Sequence, residues 1–300
     1  MLNVIITSYK EPKSTLKAVN SILNQNIKDL KVIVIDPFEE VGEFLKENIK
    51  DKRFIFILDP GEGKTYALNM IFQEFFSSNK DDILAFTDGD VFISKGSLKS
   101  IIKAFKDKEV GCVTGRPVTV DKPNEKYGYW ANLLYDAIHN LRLRLDKEKQ
   151  FFQSTGYLFA IRNGVIKEIP HDVPEDAVIP YMMWKEGYRN KYVPEAEVYV
   201  KYPNNWKDWI NQRIRTIKAH ENLNKLIPDM PRTKSFFNEI KGGLFYTISK
   251  PKTPKEFLWL IELYFARVYI YYRSFKEMRQ NQVFDPAWRE VEIKSTNTLD

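Results

Sequence analysis

Short β-branched apolar runs alternate with segments of helical period from the first residues onward, and this alternation constrains the fold more than any other feature. Asn3–Ser8, Leu30–Ile35, Arg53–Leu58 and Ile83–Asp88 read as buried strands. Between them, Ser14–Gln25 spaces Leu16, Val19, Ile22 and Leu23 as a helix does, with Ser14 as its cap. A second helix is expected around Glu40–Asn48, and a third follows Gly61-Glu62-Gly63-Lys64-Thr65, carrying Ala67, Leu68, Ile71, Phe72 and Phe75. Strands that are apolar throughout and joined by helices predict an α/β fold with a mainly parallel sheet flanked by helices. In such sheets ligands bind beyond the carboxyl ends of the strands, so Ser8, Asp36, Asp59 and Asp88 are expected on one rim.

The fourth run ends in Asp88-Gly89-Asp90 before apolar residues resume at Val91-Phe92-Ile93. Carboxylates two apart at a strand end can hold one hard cation, and such a cation can neutralise a phosphate-bearing substrate. Plain turn chemistry explains the same three residues. The nearby Gly61-Glu62-Gly63-Lys64-Thr65 lacks the four-residue spacing of an ATP-binding phosphate loop. Cys112 is the single cysteine, which rules out an internal disulfide and a cysteine zinc cluster. Its small apolar neighbours place it in the core.

Past Val118 the alternation stops. A helix at Lys95–Lys106 and a strand at Val110–Gly115 are followed by a long helix, Tyr127–Lys149, with Trp130, Leu133, Leu134, Ala137, Ile138 and Leu141 on its apolar side. Ser154-Thr155-Gly156 is a small-residue turn feeding a strand, and Pro174-Glu175-Asp176 opens another helix. Acidic residues there complement the helix dipole whatever else they do. Lys191–Pro194 and Glu197–Val200 read as two short strands, and Trp206–Leu226 as a helix bearing Gln212-Arg213-Ile214-Arg215-Thr216. Two arginines flanking an apolar residue are either solvated charge or a diphosphate clamp.

In this order, Thr7-Ser8-Tyr9, Asp36, Lys64 ahead of Ala67-Leu68-Asn69, Asp88-Gly89-Asp90, Ser154-Thr155-Gly156, Glu175-Asp176 and Gln212-Arg213-Ile214-Arg215 resemble the family-2 inverting glycosyltransferases, including the cellulose and hyaluronan synthase branch. The resemblance covers residues 1–220 and implies a GT-A, Rossmann-like fold and a nucleotide-sugar donor, with a UDP-sugar as the expected one. By position, it implies that Asp36 contacts the base, with Thr7, Ser8 and Tyr9 lining the same pocket. It implies that Lys64 and Asp88 approach the donor and that Asp90, with Asp88, holds Mg²⁺ or Mn²⁺. Asp176 corresponds to the catalytic base and Glu175 to its acidic neighbour. Ser154, Thr155 and Gly156 fall on the acceptor side, and Gln212, Arg213 and Arg215 near the diphosphate. Three positions depart from the pattern: Thr216 stands where the family has Trp, Pro174 where it has Thr, and Pro37-Phe38 follows Asp36. These departures argue against a processive synthase in particular.

The implied organisation is a catalytic domain at residues 1–226, with a nucleotide-sugar half at 1–117 and an acceptor half at 118–226, and a helical C-terminal extension at 227–300. The basic excess is C-terminal: residues 201–300 hold 18 Lys+Arg against 11 Asp+Glu, while residues 1–200 hold 28 against 29. No standard nucleic-acid-binding motif is present. Phe257–Tyr272 is nearly all apolar, is interrupted by Glu262 and Arg267 and is flanked by lysines. It is too short and too charged for a membrane span, which leaves a helix packed on the protein or one lying peripherally on an anionic membrane face. A strand beginning directly after Met1 makes a cytoplasmic location the expectation. The acceptor is expected to be a glycan, lipid-linked or protein hydroxyl. A nucleotidyltransferase, or a non-catalytic sugar-nucleotide-binding protein of the same fold, are the alternatives.

Overall fold

The computed structural model describes residues 1–231, 246–280 and 296. Eight strands form one sheet: β1 (Leu2–Thr7), β2 (Leu30–Asp36), β3 (Phe54–Leu58), β4 (Ile83–Asp88), β5 (Phe92–Ile93), β6 (Val110–Thr119), β7 (Leu158–Arg162) and β8 (Arg189–Val200). Their order is β3-β2-β1-β4-β7-β6-β8-β5. β1, β2, β3 and β4 pair in parallel, β6 pairs with β8 in parallel, and β7 and β5 run against their neighbours. The sheet is thus mixed and mainly parallel, as the alternation predicts.

The described residues also form the helices α1 (Pro12–Leu23), α2 (Glu39–Asn48), α3 (Lys64–Glu74), α4 (Ser97–Ala104), α5 (Lys126–Lys147), α6 (Glu175–Lys185), α7 (Trp206–Leu226) and α8 (Pro254–Arg279). The period of two along the strands sends Val4, Ile6, Val32 and Val34 to one face, where Val19, Ile22, Val41 and Leu45 of α1 and α2 meet them. Ile5, Ile33 and Ile35 go to the other face, against Leu68, Ile71 and Phe72 of α3 and Val178 and Ile179 of α6. Covered on both faces, these strands need no polar alternation, which is why they read as continuous apolar runs. Cys112 lies in the second cluster, and burial pushes its thiol well up from the ordinary range.

Three local expectations are corrected. Helix α1 starts at Pro12, whose fixed φ suits the first helical position, so Ser14 is buried inside the helix and does not cap it. Residues 189–200 form one strand rather than two; the interruption around Pro194 is a register shift against β6 between Thr114 and Arg116. On α5, Trp130 and Leu133 are buried, but Ile138 and Leu141 are 37% and 41% exposed, because only the first half of that apolar stripe has a partner.

A third cluster joins α5, α7 and α8 through Trp130, Trp209, Tyr202, Leu260, Leu263 and Ile270. The Trp130 indole donates to the Trp259 carbonyl at 2.7 Å. One side of α8 is therefore packed on α5 and α7. Among the described residues no helix is long and apolar enough to cross a membrane. Much of the extension expected at 227–300 lies outside the described residues.

Candidate functional site

The rim is where the strand order places it. The Ser8 hydroxyl donates to Asp36 Oδ2 at 2.5 Å, and the backbone N–H groups of Lys10 and Phe38 donate to the same carboxylate at 3.1 and 2.9 Å. Asp59 N–H donates to the Asp36 carbonyl at 3.3 Å, and Asp59 Oδ1 accepts from Gly61 N–H at 2.7 Å. Asp36 is fully buried and ties the loops after β1 and β2 together, with Tyr9 packed edge-on to Phe38 at 4.9 Å. Thr7 Oγ1 donates to Asp88 Oδ1 at 3.0 Å. Gly89 has a steric reason: a Cβ there would sit 2.7 Å from Ser8 Cβ and 2.8 Å from Thr15 Oγ1. The acidic turn can lie against the β1 loop only with no side chain at that position.

At the centre is Lys64. It is the first residue of α3, where the helix dipole disfavours a cation, and two carboxylates compensate. Its ammonium lies 2.8 Å from Asp88 Oδ1 and 2.5 Å from Glu175 Oε1, with the three side chains 14%, 20% and 13% exposed. Burial pulls the Lys64 pKa down, but Asp88 and Glu175 outweigh it and the net shift is upward. Burial raises Glu175 above its usual value, Lys64 opposes this, and Asp176 and Asp88 raise it further. The Glu175 carboxylate thus reaches across to another element as well as standing in the first turn of α6.

Asp176 is held beside the small-residue turn. Its carbonyl accepts from Ser154 N–H at 3.0 Å and from Ser154 Oγ at 2.8 Å, while Thr155 N–H donates to Thr114 Oγ1 at 2.9 Å. Ser154 and Thr155 are buried, and their hydrogen bonds fix the turn. Gly156 then faces the acidic pair: a Cβ on it would lie 3.8 Å from Asp176 Cβ and 3.9 Å from both Asp176 Oδ2 and Glu175 Oε1. A methyl group there would stand in ordinary contact with both carboxylates.

The arginines of α7 separate. Two residues apart on a helix, Arg213 and Arg215 point in different directions. Arg213 stacks over the Tyr202 ring at 5.0 Å and donates to its hydroxyl. Gln212 lends its carbonyl to Thr216 Oγ1 at 2.9 Å.

Two residues here were not singled out in the sequence. Tyr157, directly after Gly156, is half-buried; its hydroxyl pairs with Tyr135 and senses Arg213, Asp90 and Asp88, linking the acidic turn to α7. Its position beside the turn was the available signal. Arg142 of α5 is 8% exposed, donates to the Gln153 carbonyl at 3.3 Å and senses Asp176. On a helical wheel it reads as solvated charge, and only the packing reveals it.

Asp88 Oδ1 is shared by Thr7 and Lys64, and Asp90 lies half-buried two residues on. Among the described residues no group of three or more His, Cys, Asp or Glu could cage a metal ion. A two-carboxylate set fits a cation such as Mg²⁺, which keeps few protein ligands and takes the rest from water and substrate phosphate.

A mixed, mainly parallel sheet thus carries an acidic turn on its strand rim, with a second acidic pair across from it. Residues 2–219 match the profile described as "Glycosyltransferase like family 2", and the chain belongs to that family. Over 217 residues it is 23% identical to "Probable glycosyltransferase YdaM" of Bacillus subtilis (strain 168), covering 70% of this chain and 49% of the relative. An "N-acetylglucosaminyltransferase" of Rhizobium meliloti (strain 1021) is 25% identical, covering 73% and 55%. The "Poly-beta-1,6-N-acetyl-D-glucosamine synthase" of Staphylococcus aureus (strain COL) is 21% identical, covering 78% and 58%. The chain thus spans about half the length of the curated relatives it matches. The crystal structure of S. aureus TarS shares the fold, with a TM-score of 0.50 at 13% identity, covering 85% of this chain and 46% of that one.

Proposed function

We propose that the protein is an inverting glycosyltransferase that moves a sugar from a UDP-sugar to a hydroxyl of a glycan, lipid-linked or protein acceptor. The observation that carries this is the junction of Lys64 with Asp88 and Glu175, with Asp176 and Gly156 alongside. It joins the donor rim to a second acidic pair across a few ångströms. Asp36, Thr7, Ser8 and Tyr9 form the base pocket. Asp176 takes the proton of the acceptor hydroxyl as that oxygen attacks the anomeric carbon from the face opposite the leaving diphosphate. Lys64 and Arg215, with Gln212 and Arg213, offset the charge that builds on the diphosphate. Mg²⁺ or Mn²⁺ held by Asp90, with Asp88, would supply further stabilisation of that charge. Ser154, Thr155 and Gly156 shape the acceptor side. A cytoplasmic catalytic domain is part of the reading, in keeping with the free, buried thiol of Cys112.

The names of two of the relatives make UDP-N-acetylglucosamine the first donor to test. Thermal-shift measurements with UDP, GDP and CDP, with Mn²⁺ or with chelator, check the donor class. The expected result is a UDP preference that chelator abolishes and Mn²⁺ restores. An equal response to all three nucleotides, or full transferase activity in chelator, would sink the donor or the metal assignment respectively. Slow hydrolysis of the UDP-sugar without acceptor separates an enzyme from a binding protein.

A further inference from the structure

Helix α8 is apolar on two sides, and among the described residues only one of them is covered. Leu260, Leu263, Ala266 and Ile270 pack against α5 and α7. The other side carries Leu258, Phe265, Val268 and Tyr272 at 61%, 73%, 54% and 63% exposure, with Phe257 and Phe275 at 50% each. At about 100° per residue, all six fall within an arc of roughly 100°. Single exposed apolar side chains are ordinary; a stripe along a helix about 39 Å long is not, and marks a surface that meets something.

The charges around the stripe identify the partner. Lys252 and Lys255 are exposed at its N-terminal end, and Lys276 and Arg279 at its C-terminal end. By helical angle Lys276 and Arg279 lie on the stripe's own side. The acid at its margin, Glu262, pairs with Lys126 at 3.2 Å. An apolar, aromatic stripe with cations at both ends suits a layer of anionic headgroups over acyl chain. It does not suit a second copy of the chain: because both ends are basic, α8 laid on α8 in either direction sets like charges against each other. The helix is not long and apolar enough to cross a bilayer, so it would lie in the interface.

We infer that α8 is an in-plane docking helix for an anionic membrane surface. This goes beyond the transfer reaction and stands without it. The contact rests on the apolar stripe for depth and on the terminal cations for selection of anionic lipid.

Flotation of the full chain tests it, using vesicles of phosphatidylcholine alone and vesicles with about 30% phosphatidylglycerol at about 0.1 M salt. The expected result is binding to the anionic vesicles, weaker by on the order of tenfold without the anionic lipid or in Lys276→Glu/Arg279→Glu. Leu258→Asp/Phe265→Asp should reduce it by a similar factor or more, with an unchanged thermal melt because both side chains are exposed. Absence of flotation with anionic vesicles, or undiminished flotation of the Leu258→Asp/Phe265→Asp variant, overturns the inference. A concentration-dependent dimer in sedimentation that this variant disperses, with no vesicle binding, would assign the stripe to self-association instead. Flotation needs no donor or acceptor, so its failure and a failure of the transferase reading are told apart.

Discussion

Replacing Lys64 by Met removes the ammonium held between Asp88 and Glu175 and leaves two carboxylates facing the same space. Deleting one partner of a buried ion pair costs about 3–5 kcal/mol. Here the three side chains keep 13–20% exposure, so water relieves part of that, and about 2–3 kcal/mol is expected at pH 8. The cost should depend on pH, with a definite sign. Glu175 already has its pKa raised above the usual 4.5, first by burial and then by Asp176 and Asp88, and Lys64 is the group that opposes the rise. Without Lys64 it rises further. A carboxyl whose pKa is raised by folding contributes stability below its unfolded pKa and loses it as the pH climbs through the folded value. The deficit of Lys64→Met is therefore smallest near pH 4.5 and grows toward pH 8, by about 1.4 kcal/mol for each further tenfold gain in the proton affinity of Glu175. Urea unfolding at several pH values reads this directly. Glu175→Gln is the control: it removes the titrating group, keeps Asp88 for Lys64, and should unfold with a flatter pH profile than wild type. A loss for Lys64→Met below about 0.5 kcal/mol at pH 8, or one that is constant with pH, would refute the reasoning.

In activity, Lys64→Met should lower kcat/KM by on the order of 10²-fold, measured as UDP release from the UDP-sugar with acceptor. Asp176→Asn should reduce kcat by about 10³-fold while UDP affinity stays within roughly twofold; near-normal turnover would remove Asp176 as the base. Gly89→Ala forces a methyl group to within 2.7 Å of Ser8 Cβ and 2.8 Å of Thr15 Oγ1. It should destabilise the protein by about 1–3 kcal/mol in urea titration, and an unchanged midpoint would show that the turn is not packed on the β1 loop.

The amino-acid sequence determined the architecture of the N-terminal half because apolar periodicity is a local property. Strands buried on both faces must be apolar throughout, so β1, β2, β3 and β4 were legible within a residue or two. The parallel-sheet rule then gathered Ser8, Asp36, Asp59 and Asp88 on one rim, where the structure has them. The rim and the order of its motifs were enough to point to the family. What the sequence alone could not decide were partnerships between distant elements. The single strand at Arg189–Val200 hides behind Pro194 because a register shift is set by its neighbour β6, not by its own residues. Arg142 and Tyr157 looked like ordinary helix and strand-end positions until packing brought them within electrostatic reach of Asp176 and Asp90. Lys64 was a lysine near the donor by resemblance; its bridge from Asp88 to Glu175 joins residues 87 apart in the chain and exists only when β4 and α6 meet. The same holds for α8: its composition left packing and membrane docking open, and tertiary structure assigned one apolar side to the core and left the other in solvent. Periodicity shows that a helix has an apolar face, but which face finds a partner depends on the shape of what it packs against.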